Sequence, residues 1–220
     1  MEKKTTPSYK EGLTQLRGQL KEMIPSNILD TFDNDAEQLA KNNSEILKLN
    51  NGDKVPDFSL LNAVREKITF SEVLQKGNVV LVFYRGSWCP YCNLQLNQYQ
   101  QILNKIKEKG ASLIAISPQN PDASLGIKEK NNLEFEVLSD IGNIVSRKFT
   151  TIFKNGNSPI EAMKNLGLDF DSFYGDDSRE IPIPAVFVIN QKGIIVFSKT
   201  EGGNYRNRVE QSDILDALNM

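Results

Sequence analysis

Hydrophobic positions recur every three or four residues along the first fifty residues of the chain. Leu13, Leu16, Leu20 and Met23 form one stripe, which Pro25 ends; Ile28, Leu29, Phe32, Ala36 and Leu39 form a second. This spacing predicts two amphipathic helices. Ser8, with Glu11 three residues later, supplies a capping box to open the first. A helix with one apolar face most often buries it against a larger body. Residues 1–50 are therefore expected to form a helical extension packed on a main domain spanning residues 51–220.

From Asn51 onward the periodicity changes. Asp57 to Leu60 reads as extended, and Thr69-Phe70-Ser71-Glu72 has a capping-box pattern opening a brief helix. Asn78 to Tyr84 is a continuous apolar run, as expected of a strand covered on both faces. A helix follows, with Leu96, Tyr99, Leu103 and Ile106 on one face and Gly110 beyond its end. Ala111 to Ile116 predicts a buried strand, Asp122 to Leu133 a helix, and Phe135 to Leu138 a short strand. Alternation of strand and helix implies an α/β fold with parallel crossovers in a central sheet flanked by helices. Residues 150–181 break this rhythm as an insertion, with one short helix opened by Ser158 as N-cap, Pro159 at the first helical position and Glu161 as capping glutamate, and a polar, aromatic loop from Asp169 to Glu180. Ala185 to Asn190 and Ile194 to Ser198, joined through Gly193, predict a hairpin, and Ser212 to Leu218 a closing helix.

Composition narrows the chemistry. The chain has 220 residues, 26 Lys plus Arg, 28 Asp plus Glu and no histidine. Without histidine there is no Ser-His-Asp or Cys-His catalysis and no imidazole metal site. A net charge of −2 gives no reason to expect a nucleic-acid partner. The N-terminal stretch is polar and lacks a secretory pattern, and no apolar run approaches the ~20 residues that span a bilayer. A cytoplasmic protein with no membrane partner is expected. Neither GxGxxG nor a P-loop pattern occurs, and no cofactor or metal is expected.

The two cysteines, Cys89 and Cys92, share one motif: Arg85-Gly86-Ser87-Trp88-Cys89-Pro90-Tyr91-Cys92. It sits between a buried strand and the start of a helix. Unpaired N–H groups and the helix dipole there favour a thiolate on Cys89. Cys92, one turn further on, is in reach of a mixed disulfide or sulfenic acid formed at Cys89. Cys89 is thus expected to be an exposed nucleophile and Cys92 the resolving thiol, with Arg85 adding positive potential. Trp88 is expected to shield the pair and Tyr91 to sit at the helix start or act as a spacer.

Trp-Cys-x-x-Cys after a buried strand resembles the thioredoxin superfamily, and Pro90-Tyr91 between the cysteines resembles glutaredoxins. Pro184 followed by Ala185 to Asn190 resembles that superfamily's active-site proline and strand, so a cis Ile183–Pro184 bond beside the cysteines is expected. Gly52 to Phe58, Phe83-Tyr84-Arg85-Gly86, Ile116-Ser117-Pro118-Gln119 and Val137-Leu138-Ser139-Asp140 extend the resemblance to the peroxiredoxin-like alkyl hydroperoxide reductase/thiol-specific antioxidant group. This implies a thioredoxin-like fold and a cofactor-free thiol peroxidase with an antioxidant role. Its substrate would be hydrogen peroxide or an organic hydroperoxide, and it would be recycled by thioredoxin, glutaredoxin or glutathione. A homodimer is compatible with that group. Typical members place Thr or Ser three residues before the peroxidatic cysteine, where this chain has Gly86. They place arginine three residues before the late strand's aromatic, where it has Pro184. Arg147, Arg206 and Arg208 are the candidates to replace that arginine. Loss of the activating pair leaves a second reading, a thiol–disulfide oxidoreductase without peroxide specificity.

Overall fold

A computed structural model describes residues 7–219. The first six residues of the expected extension, and Met220, lie outside the described residues. The extension begins as two helices, α1 (Tyr9–Met23) and α2 (Ser26–Asn42). The Ser8–Glu11 capping box forms as expected, with the Glu11 N–H donating to Ser8 Oγ and the Ser8 N–H donating to Glu11. Pro25 stands between the two helices as the α2 N-cap.

The next elements are β1 (Ser59–Asn62), β2 (Lys67–Thr69), α3 (Phe70–Leu74), β3 (Asn78–Phe83), α4 (Pro90–Gln101), α5 (Leu103–Glu108) and β4 (Ala111–Ser117). They are followed by α6 (Pro121–Lys130), β5 (Glu136–Ser139), α7 (Ser146–Phe149), β6 (Ile152–Lys154) and α8 (Asn157–Asn165). The chain closes with β7 (Glu180–Pro182), β8 (Ala185–Ile189), β9 (Ile195–Lys199) and α9 (Gln211–Ala217). Seven strands make one mixed sheet in the order β2-β1-β5-β4-β3-β8-β9, and β6 and β7 pair separately. β3, β4 and β5 run parallel, joined through helices; β8 is antiparallel to β3, with Leu81 opposite Phe187.

The sheet is buried on both faces because β3 is apolar at every position from Val79 to Phe83. Val80, Val82 and Tyr84 point into a core shared with α1, α2, α4 and α9. Val79, Leu81 and Phe83 point into a second core beneath α3 and α7, where Phe83, Phe149 and Phe187 meet edge-on or tilted. This is the period-two alternation of a strand sandwiched between two layers. Each fully buried Val, Leu or Phe contributes roughly 1.5–3 kcal/mol. The central strand that carries the cysteine motif at its end is therefore firmly held.

Three local expectations are corrected. Thr69 does not cap α3, because its hydroxyl accepts from Ser59 Oγ; Asp57 instead takes hydrogen bonds from the Ser71 N–H and hydroxyl. α8 begins at Asn157 with Gly156 as N-cap, so Ser158 lies inside the helix rather than before it. No cis peptide bond occurs among the described residues, so Ile183–Pro184 is trans. The Ile183 N–H donates to the Thr151 carbonyl and its own carbonyl accepts from Thr150 Oγ1, both at 2.9 Å, as the chain runs from β7 into β8. An extended path of this kind is met by the ordinary trans isomer. No helix among the described residues is long and apolar enough to cross a membrane.

Candidate active site

The motif leaves β3 at Tyr84 and turns into α4, with Cys89 as the N-cap and Pro90 at the first helical position. Pro90 suits that position because the N–H it lacks has no intrahelical partner there. Gln119, from the Ile116–Gln119 motif on the neighbouring strand end, fixes the turn. It accepts from the Ser87 N–H at 2.7 Å and donates to Ser87 Oγ at 2.9 Å. Asn93, one turn into α4, donates back to the carbonyls of Ser87 and Cys89. The two sulfurs are thereby held at the C-terminal edge of the parallel strands, the usual location of α/β active sites.

Both cysteines are free and fully buried, with 0 % exposure. The expectation of an exposed Cys89 is corrected: Leu20 and Leu29 of the extension, together with Tyr91 and Tyr205, enclose it in the first core. Two guanidinium groups approach the pair. Arg85 Nη1 lies 3.9 Å from Cys89 Sγ; Arg208 Nη2 lies 3.3 Å from Cys92 Sγ and 4.0 Å from Cys89 Sγ. Neither arginine forms a salt bridge among the described residues, although the Asp35 carboxylate lies within electrostatic reach of Arg85. Burial opposes ionisation at both thiols. At Cys92 this is outweighed by the Cys89 thiol donating to it and by Arg208, which together hold Cys92 well below the usual thiol range. Burial and the proton shared with Cys92 push Cys89 well above that range. The nearer guanidinium, Arg208, therefore favours the negative charge on Cys92, a bias opposite to that expected from the helix dipole alone.

Of the three candidate arginines, only Arg208 reaches the site. Arg147 pairs with Glu180, and Arg206 with Asp33 and Glu37. Arg208 is held by donating to the carbonyls of Tyr205 and Asn207. The segment carrying it is fastened by the extension. The Tyr9 hydroxyl donates to the Arg206 carbonyl, Tyr205 donates to Phe32, and Glu210 accepts from the N–H groups of Tyr9 and Lys10. Gly203 lies so close to α2 that a Cβ there would stand 2.4 Å from the Leu39 carbonyl oxygen. Tyr91 is likewise no spacer: it is buried, and its hydroxyl accepts from Arg17 of α1.

Gly86 has a steric reason of its own. A Cβ there would lie 2.5 Å from Trp88 Nε1, because the indole folds back over the turn. Trp88 Nε1 donates to the Tyr174 hydroxyl at 2.8 Å, and Tyr174 donates to the Arg85 carbonyl. The Arg85 guanidinium stacks between Trp88, at 4.7 Å, and Tyr205, at 3.6 Å. Arg85, Gly86, Trp88, Cys89, Pro90 and Cys92 thus form one cluster. Pro184 is not part of the cavity wall beside Cys89; its carbonyl accepts from Thr200. Tyr174 and Tyr205 escaped the sequence reading: one lies in a polar loop and the other in an unpatterned C-terminal stretch, and neither carries a periodic signal.

A model of the AhpC/TSA family matches residues 51–198. The chain is 38% identical over 98 residues to a protein named putative peroxiredoxin bcp from Buchnera aphidicola subsp. Schizaphis graminum, covering 44% of this chain and 61% of that one. It is 26% identical over 149 residues to the putative peroxiredoxin bcp of Helicobacter pylori strain 26695, covering 67% and 86%. The chain spans about half to three fifths of the length of the first curated relatives it matches. Among solved structures, peroxidoxin BcpB from Mycobacterium tuberculosis superposes with a TM-score of 0.61 at 20% identity, over 78% of this chain and 97% of that one. That likeness establishes the thioredoxin-like fold expected from the sequence. With two thirds of its length matched by the family model, the chain belongs to the AhpC/TSA family.

Proposed function

We propose that this protein is a peroxiredoxin-like thiol peroxidase that reduces a hydroperoxide with the Cys89–Cys92 pair. The observation that carries the reading is the pair itself: two free, buried thiols faced by two guanidinium groups, Arg85 at 3.9 Å from Cys89 Sγ and Arg208 at 3.3 Å from Cys92 Sγ. Cys92, held as the thiolate by Arg208, takes the proton of Cys89. The Cys89 thiolate then attacks the distal peroxide oxygen, and the O–O bond breaks. The leaving alkoxide, its charge offset by Arg85, takes the proton now on Cys92 and departs as the alcohol. Cys89 remains as a sulfenic acid. The Cys92 thiolate attacks its sulfur, the S–S bond forms, and hydroxide leaves to be protonated by solvent. Two electrons from the thiol pair reduce one peroxide, and no cofactor takes part.

A thioredoxin-type donor, with glutaredoxin or glutathione as the other candidates, would return those electrons in the cytoplasm, where thiols are kept reduced. We read residues 1–50 as an extension of the 51–220 domain, a division supported by the start of the family match at residue 51. The Cys-Pro-Tyr-Cys spacing favours a second reading, a thiol–disulfide oxidoreductase. The match of residues 51–198 to the AhpC/TSA family, whose curated relatives here are named peroxiredoxins, weighs against it. The test is turnover of peroxide beside reduction of a protein disulfide such as that of insulin. Cys89→Ser is expected to abolish peroxide turnover, and Cys92→Ser to stop after one slow oxidation per chain. Peroxide turnover that survives in Cys89→Ser, or insulin reduction outpacing peroxide reduction in the intact protein, would refute the peroxidase reading.

A further inference from the structure

A cavity of about 220 Å³ opens above Cys89. Its walls come largely from parts of the chain added around the sheet: Leu20 of α1 and Ile24 just after it, Leu29 and Phe32 from α2, and Met163 and Leu168 from α8 and the loop after it. Cys89, Arg85, Trp88 and Tyr205 also line it. The polar atoms of the aromatic lining are already committed. Trp88 Nε1 donates to Tyr174, the Tyr91 hydroxyl accepts from Arg17, and the Tyr205 hydroxyl donates to Phe32. Only the thiol and the guanidinium, whose Nε has no hydrogen-bond partner, remain to receive a polar ligand atom. An apolar chamber with one cation and one thiol at its lining suits a ligand with a compact apolar body and a single oxygen-rich end.

We propose, resting on the peroxidase reading, that this cavity binds the organic group of the substrate, and that the N-terminal extension sets its size. The group it takes is compact and apolar, of the bulk of a phenyl or branched alkyl group; an apolar cavity of about 150 Å³ holds a benzene ring. Ile24, capping the end of α1, and Phe32 of α2 are the specificity-determining residues that the extension contributes. Hydrogen peroxide leaves the chamber unfilled and gains nothing from its walls. A peptide exceeds its volume.

The experiment compares kcat/KM for cumene hydroperoxide and for hydrogen peroxide in the intact protein and in Ile24→Trp and Phe32→Ala. It also titrates the unreactive alcohol 2-phenyl-2-propanol by isothermal calorimetry, a readout that the added indole of Ile24→Trp does not disturb. The cumene-to-hydrogen-peroxide ratio is expected to fall about tenfold or more in Ile24→Trp, the scale on which apolar pockets discriminate by size. Phe32→Ala is expected to change the same ratio, and the alcohol to bind saturably to the intact protein and not to Ile24→Trp. A ratio that stays constant across the three proteins, or alcohol binding indifferent to Ile24→Trp, would overturn the pocket. If the intact protein reduces neither peroxide, the peroxidase reading fails, while the alcohol titration still decides whether the cavity takes an apolar group.

Discussion

Gly86 offers the sharpest structural test, because it stands where the family's hydroxyl residue would fall if Cys89 is the attacking sulfur. Gly86→Ala places a Cβ 2.5 Å from Trp88 Nε1, 3.0 Å from its Cδ1 and 3.1 Å from the Tyr174 hydroxyl. The indole cannot yield freely: it is bonded to Tyr174, packed edge-on against Phe170 at 5.3 Å and stacked on Arg85. Overpacking of this kind costs about 1–3 kcal/mol. Breaking the Trp88–Tyr174 hydrogen bond adds about 1 kcal/mol. The variant is therefore expected to lose roughly 2–4 kcal/mol in urea unfolding, with a lower midpoint at unchanged slope. Tyr174→Phe, which removes both hydrogen bonds of the hydroxyl but leaves the indole unclashed, should lose about 1–3 kcal/mol. Trp88 emission should shift to the red in Gly86→Ala as the ring is driven outward. Gly86→Thr should behave at least as badly and gain no peroxidase activity, although it restores the family's residue type. A Gly86→Ala protein within about 0.5 kcal/mol of the parent, the range of ordinary surface changes, and with unshifted emission would refute the argument that glycine is required there for the indole.

Three further outcomes are expected. Cys92 is held below the usual thiol range, so activity is expected to be lost as pH falls through that depressed value. The acid limb of the pH–rate profile should thus lie below the ~8.5 of a free thiol. Arg208→Met removes the charge 3.3 Å from Cys92 and should move that limb to higher pH, with Arg208→Lys restoring part of the shift; a profile unmoved by Arg208→Met would exclude the role given to Arg208. Glu210→Gln weakens the two N–H contacts at the start of α1 and should cost about 1 kcal/mol in urea unfolding; the same variant should lower peroxidase rate, because Glu210 helps fasten the segment that carries Arg208.

Much of the frame was legible because local physics specified it. The apolar run at Asn78 to Tyr84, the capping box at Ser8 and Glu11, and the turn at Gly193 each rest on residues close in sequence, and each formed where expected. The cysteine motif was legible for the same reason. What the sequence concealed came from distance. Arg208 lies 116 residues from Cys92, and only the docking of α1 and α2 on the 203–210 segment brings it there. The helix dipole alone favours a thiolate on Cys89; a guanidinium from elsewhere in the chain, Arg208, favours one on Cys92. Burial of Cys89 followed from the same docking, since the stripes of the two helices say that they pack but not on what. Asp57 replacing Thr69 as a cap, and the trans Pro184, show local patterns overridden by a competing hydrogen-bond partner and by an extended path between strands.

The central claim, that the Cys89–Cys92 pair reduces a hydroperoxide, is tested most directly by stopped-flow mixing of the reduced protein with cumene hydroperoxide and, separately, with hydrogen peroxide. Trp88 fluorescence follows the reaction, because the indole adjoins Cys89 in sequence and stacks on Arg85. The account predicts a fast phase whose rate rises with hydroperoxide concentration, far above that of a free thiolate, ending in one Cys89–Cys92 disulfide per chain by mass spectrometry. Oxidation no faster than a free thiolate, or a fast phase that leaves both thiols free, would contradict it.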